Sequence, residues 1–150
     1  MATARSNPYG AFNFRVSLGE GDESQVIGGF SDVSGLGTEI NYSEYRTGND
    51  PVNTVHKIAN TFKQEDVTCK RGLVGMTELF NWVKAVREGA DGRRTVVITV
   101  LDETGRQPVA AFKLRNAQPK KWVGPTLAAK GGGEVAMEEL HIAHEGVDYE

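Results

Sequence analysis

Between Ala11 and Leu18 the residues Phe12, Phe14, Val16 and Leu18 alternate with Asn13, Arg15 and Ser17, the period of two of a half-buried strand. The polar stretch 19–24 makes a turn. A second apolar stretch, Gln25 to Val33, contains Gly28 and Gly29, and a third runs from Thr38 to Tyr45. In the third, Ile40 and Tyr42 share one alternation while Tyr45 falls on the other, the pattern of a strand with a bulge. From Arg46 to Asn60 the rhythm breaks, because Gly48-Asn-Asp-Pro51 is turn chemistry. Thr61 to Arg71 resumes strand character.

One amphipathic helix is predicted over residues 77–88: Leu79, Phe80, Val83 and Val86 recur at steps of three and four, with Trp82 flanking. Thr77 is placed to cap its start and Gly89 to end it. Thr95 to Leu101 is apolar on both alternations, as in a strand covered on both faces, and the helix is its expected cover on one side. Asp102-Glu-Thr-Gly105 carries Asp and Gly at the first and fourth positions of a type I turn, leading into Pro108 to Asn116. After the run Gly131 to Gly133, a last strand is expected from Glu134 to His144, with Ala136, Leu140 and Ile142 on one side. Short strands with one helix predict an α+β, mainly β chain: an antiparallel β-barrel or sandwich with one packed helix and a long inter-strand loop at 46–60. The 150 residues fit a single domain, 1–150.

Composition narrows the function. Seventeen Lys and Arg against twenty Asp and Glu give a net charge of −3, the wrong sign for general or sequence-specific nucleic-acid binding. Cys69 is the single cysteine, so no internal disulfide is possible and a reducing compartment is expected. The first residues hold no apolar stretch of signal-peptide length, and the run near Val96 to Leu101 is too short to cross a bilayer. The expectation is synthesis in a cytoplasm, without membrane insertion.

No catalytic constellation emerges. His141 and His144 would converge on a metal only in a helix, since a strand points them to opposite faces. Cys69 has no His or Asp placed by sequence to activate it. Gly35-Leu-Gly37 lacks the third glycine of a dinucleotide loop, and no phosphate-loop Gly-Lys-Ser/Thr occurs. Glu138 and Glu139 read as part of a solvated charge run. No catalytic, metal or cofactor residue is assigned, and no enzyme activity is expected.

Two features point to contacts instead. Lys113, Arg115, Lys120, Lys121 and Lys130 occur with no acid between positions 113 and 130, and Glu134, Glu138, Glu139, Glu145, Asp148 and Glu150 follow with no base. Opposed blocks suit head-to-tail contact between identical subunits, or the pairing of adjacent strands within one. Lys120, Lys121, Glu138 and Glu139 are the candidate subunit-contact charges. In the 46–60 loop, Val52, Val55 and Ile58 are apolar in a stretch that should be solvated, and they find burial either on another subunit or over their own barrel.

The chain resembles the tail tube protein family of contractile phages and phage-derived, extracellular contractile injection systems. The resemblance is carried by Asn7-Pro-Tyr9, Phe12-Asn-Phe-Arg-Val16, Gly28-Gly-Phe-Ser-Asp-Val-Ser-Gly-Leu36, Ile40 to Arg46 and Lys70-Arg-Gly72. It continues through Leu79-Phe-Asn-Trp82, Leu101-Asp-Glu-Thr-Gly105, Leu114-Arg-Asn-Ala117, Pro119-Lys-Lys-Trp122 and His144-Glu-Gly146. Gln118 departs, standing where the family usually has an aromatic. The resemblance implies a structural subunit whose hexameric rings stack into a hollow tube inside a contractile sheath, a conduit that pierces a target membrane. Partners implied are further copies of itself, the sheath protein, baseplate and tube-terminating proteins, and an effector protein or DNA as cargo in the lumen. The particle is a phage tail or injection device that can be released. The resemblance also implies strands that continue between subunits and an extended loop reaching an adjacent ring, so Asp50, Pro51, Val52, Val55 and Ile58 form the expected ring-stacking loop. The alternatives are a monomeric β-barrel carrier of a small ligand, an enzyme dependent on a metal or on the Cys69 thiol, and the related type VI secretion tube or tube-initiating baseplate protein.

Overall fold

The computed structural model describes residues 7–8, 10, 13–18, 30–49, 51, 54–73, 77–131 and 135–150. The strands are β1 (Phe14–Ser17), β2 (Asp32–Ser34), β3 (Thr38–Tyr45), β4 (His56–Gln64), β5 (Val67–Gly72), β6 (Arg94–Leu101), β7 (Pro108–Val123), β8 (Met137–Ala143) and β9 (Gly146–Tyr149), with helix α1 (Glu78–Arg87) between β5 and β6. All pairings are antiparallel. Seven strands run in the order β1-β6-β7-β8-β5-β2 with β9 on β7, and β3 and β4 form a separate two-stranded sheet.

The long strand β7 makes the fold a sandwich. Its first half ladders with β6 and β9, its second half with β8. Asn116, between the two halves, has φ 48, a left-handed conformation that Asn tolerates better than most residues. Its amide donates to Glu145 Oε2 at 2.7 Å. A strand that bends and changes partners turns one sheet into two facing layers. Val16, Val96, Ile98 and Leu114 from one layer join Val67, Cys69, Leu140 and Ile142 from the other in a single buried cluster. Among the described residues the path of six strands ends at β1 and β2 without closing into a barrel.

Alternation sets the inward faces. In β5, Val67, Cys69 and Arg71 are buried; in β8, Glu138, Leu140 and Ile142 are. Arg71 and Glu138 are therefore inward residues, and they lie directly opposite one another. Arg71 Nε donates to Glu138 Oε1 at 2.5 Å, and the Trp122 indole donates to Glu138 Oε2 at 3.1 Å. Glu138 is thus not part of a solvated run.

The helix stops at Gly89, with φ 95, as its sequence position requires. Thr77 precedes it without a side-chain cap bond. The stripe differs from the expected one: Leu79 and Trp82 are buried, while Phe80 is 37% exposed and meets Trp122 edge-on at 5.2 Å. The helix rests chiefly on β7 rather than β6. The Trp82 indole donates to the Gly92 carbonyl at 2.7 Å. The turn at Asp102 forms as expected, Oδ1 accepting from the Thr104 hydroxyl and the Arg106 and Gln107 amides.

Several boundaries are corrected: the strand expected over 61–71 is split, β4 ending at Gln64 and β5 starting at Val67, and the strand expected over 108–116 runs on to Val123. The 46–60 loop is shorter, because β4 begins at His56 and pairs with β3, so Ile58 belongs to a strand. The C-terminal stretch holds two strands, β8 and β9, rather than one. The expectations at Phe12, Gly28, Gly29, Asp50, Val52, Gly132, Gly133 and Glu134 lie outside the described residues.

Candidate assembly surfaces

β3 and β4 form an arm. Every residue of β3 is exposed, and so is every residue of β4 except the last. Directly opposed residues in an antiparallel pair share a face, so the register assigns both sides. Ile40 opposes Phe62 and Tyr42 opposes Ala59, giving one apolar side on which Phe62 is 68%, Tyr42 56% and Ile40 40% exposed. The other side carries Glu39 opposite Lys63 and two side-chain bonds, Asn41 to Thr61 at 3.2 Å and Asn60 to Ser43 at 3.0 Å. Toward the tip, Tyr45 and Ile58 add apolar surface to this polar side. The bulge foreseen in β3 exists, but the extra residue is on β4, since the register steps from Ile40/Phe62 to Tyr42/Ala59. Of the expected stacking residues, Pro51 and Val55 are exposed in the connection and Ile58 is exposed on β4.

The four candidate contact charges separate. Lys120 Nζ bonds Asp66 Oδ2 at 2.5 Å within the subunit. Glu138 is 2% exposed and held by Arg71, because it faces inward from β8. Glu139 lies 3.3 Å from Lys70 Nζ and 3.4 Å from His141 Nε2; the hydrogen bond from Lys70 comes first in holding its carboxyl below the usual range. Lys121 is exposed and makes no ion pair among the described residues. The opposed blocks also meet within the chain at Arg115 and Asp148, 3.4 Å apart.

The residues weighed for chemistry are buried or bonded within the subunit. Burial pushes the Cys69 thiol up to about 12, which suppresses the reactive thiolate. His141 Nδ1 is 3.1 Å from the Thr68 hydroxyl, and His144 Nε2–H donates to the Glu65 carbonyl at 2.9 Å. Among the described residues no group of three or more His, Cys, Asp and Glu side chains is placed to hold a metal ion. No helix among them is long and apolar enough to cross a membrane. An open cleft of about 330 Å³ lies where the sheet fails to close, with Phe14, Val33, Leu36, Ile98 and Val100 as its apolar lining.

Residues 10–148 match the family described as T4-like virus tail tube protein gp19. Among solved structures, the chain is similar to one in the sheath–tube complex of an extracellular contractile injection system in its extended state. That similarity has a TM-score of 0.81 and 24% identity, covering 95% of this chain and 91% of the other. It is also similar to a chain of the tube-terminating cap of the anti-feeding prophage, with a TM-score of 0.84 and 20% identity over 100% of this chain and 95% of that one. A type six secretion system protein is more distant, with a TM-score of 0.56 and 13% identity over 93% and 83%. No curated protein sequence matches.

Proposed function

Since the chain belongs to the T4-like virus tail tube protein family, we propose that it is the inner tube subunit of a contractile, phage tail-like particle. Six copies form a ring, rings stack into a hollow tube within a sheath, and the tube ends at baseplate and terminating proteins. Its lumen carries effector protein or DNA to a pierced membrane, and the subunits are made in a bacterial cytoplasm. The role is structural, with no catalysis.

The observation that carries this reading is the exposed arm. An isolated two-stranded hairpin is marginal in water, and one that keeps Ile40, Tyr42 and Phe62 in solvent gains stability only when that side is covered. A second copy supplies the cover. In this reading the connection with Pro51 and Val55 and the tip around Ile58 reach the adjacent ring, and Lys121 and Glu139 add polar contacts. Among the described residues β1 and β2 end the strand path, which supports strand continuation between subunits, since unpaired edges invite pairing with another chain.

Negative-stain electron microscopy of the purified protein, alone and co-expressed with sheath and baseplate components, tests the reading. Rings or tubes are expected. A strictly monomeric protein under every condition refutes it, and saturable binding of a small ligand by that monomer would favour the carrier.

A further inference from the structure

Gly35 and Gly37 stand where the sandwich gives way to the arm. Ser34 opposes Thr68 and Thr38 opposes Gln64, so one register runs through both and β2-β3 with β4-β5 is a single long ribbon. Its pairing lapses at this elbow, and the register holds outward as far as the bulge beyond Ile40. Gly35 has φ 87, and a Cβ there would collide with the Asp66 carbonyl; one on Gly37 would lie 2.7 Å from the Glu65 carboxylate. At Gly35 the two strands pass closer than a side chain permits, whereas the neighbour of Gly37 is the movable end of the Glu65 side chain; one backbone bond, Glu65 N–H to the Gly37 carbonyl at 3.3 Å, spans the gap.

Two side chains remote in sequence reach this elbow from the body. Lys120 bonds Asp66, and His144 donates to the Glu65 carbonyl. Lys120 can reach because it is the extra residue of a bulge in β7: Pro119 opposes Ile142 and Lys121 opposes His141. A bulge re-aims the side chain it carries.

We infer that Lys120 and His144 are positioning residues that fix the angle at which the arm leaves the sandwich and so present its apolar side to a second copy. The inference rests on the docking role of the arm given above. Lys120 is then not a contact between subunits, and His144 is not a metal ligand. Both hold the elbow that the two glycines make bendable.

Spin labels on cysteines introduced at Thr47 and Glu88, both exposed, report the arm angle in the unassembled subunit, and buried Cys69 takes no label. Combining Lys120→Asp with His144→Ala is expected to broaden the distance distribution. Lys120→Asp paired with Asp66→Lys should restore the narrow one. Assembly of Lys120→Asp should weaken by about two- to fivefold per subunit, the range for an exposed ion pair, and recover in the charge swap. An unchanged distribution overturns the inference, as does a broadened arm that assembles like the parent. A parent that never assembles while its arm still responds refutes the tube reading and leaves the elbow brace standing.

Discussion

Replacing Phe62 with serine should separate folding from assembly. A buried aromatic removes roughly 150–250 Å² from water, and Phe62 is 68% exposed, so on the order of 100–170 Å² remains to be covered. At about 25 cal/mol per Å² this is about 2.5–4 kcal/mol of docking energy. Ordering the side chain at an interface costs about 0.5–1.5 kcal/mol, leaving about 2 kcal/mol, or roughly thirtyfold in affinity per contact. The isolated subunit loses little, since exposed substitutions stay within about 0.5 kcal/mol. Sedimentation should show the critical concentration for assembly rising by at least that factor, while thermal melting of the unassembled subunit moves by less than about 2 °C. An unchanged critical concentration would refute the docking argument. A melting point lower by about 6 °C or more would place Phe62 in the subunit's own packing.

Glu138→Ala removes the buried carboxylate that Arg71 Nε donates to, while Glu78 Oε2 stays 3.4 Å from the same guanidinium, so urea unfolding should show a loss of about 1.5–3 kcal/mol, the range for a hydrogen bond to a charged group; a loss below about 0.5 kcal/mol would mean that the pair is solvated. Cys69 should resist thiol reagents in the folded protein and react on unfolding. Its folded pKa is raised from 9.0 to about 12, so its contribution is fully present below pH 9 and falls as pH rises toward 12, at up to about 1.4 kcal/mol per unit. Cys69→Ala should flatten that alkaline slope in pH-dependent melting, and an unchanged slope would contradict the burial.

Period and turn chemistry made much of the sandwich legible, because strands that bury one face alternate and Asp102-Glu-Thr-Gly105 closes its turn with local bonds. Arg71 and Glu138 were legible too, as each shares the parity of buried apolar neighbours, but charge masked the pattern. Only the pairing of β5 with β8 reveals that each neutralises the other. Trp82 was hidden by a stripe drawn through Phe80, whose ring caps Trp122 at the surface. The start of β4 was obscured because a strand exposed on both sides has no burial period to display. Lys120 was not legible as part of the elbow, since its partner Asp66 is 54 residues away and the bulge that aims it exists only in the folded register.

The division of apolar residues leads to a stronger test. Exposed single hydrophobics are ordinary on a protein surface, but Ile40, Tyr42, Tyr45, Val55, Ile58 and Phe62 all lie on the arm or its connection, and a concentrated patch marks a contact. No described residue between 38 and 64 belongs to the buried cluster. The described residues of the arm therefore add nothing to the core of the sandwich. Joining Gly37 to Glu65 through a short Asn-Gly turn converts β2-β5 into an ordinary hairpin, and shortening the loop lowers closure entropy only slightly. The shortened chain is expected to melt cooperatively within a few degrees of the parent, and electron microscopy should find it as single particles under conditions where the parent forms tubes. Normal tubes from it would remove the arm from assembly. A chain that fails to fold would show that the arm packs on its own sandwich, contrary to the exposure of both its strands.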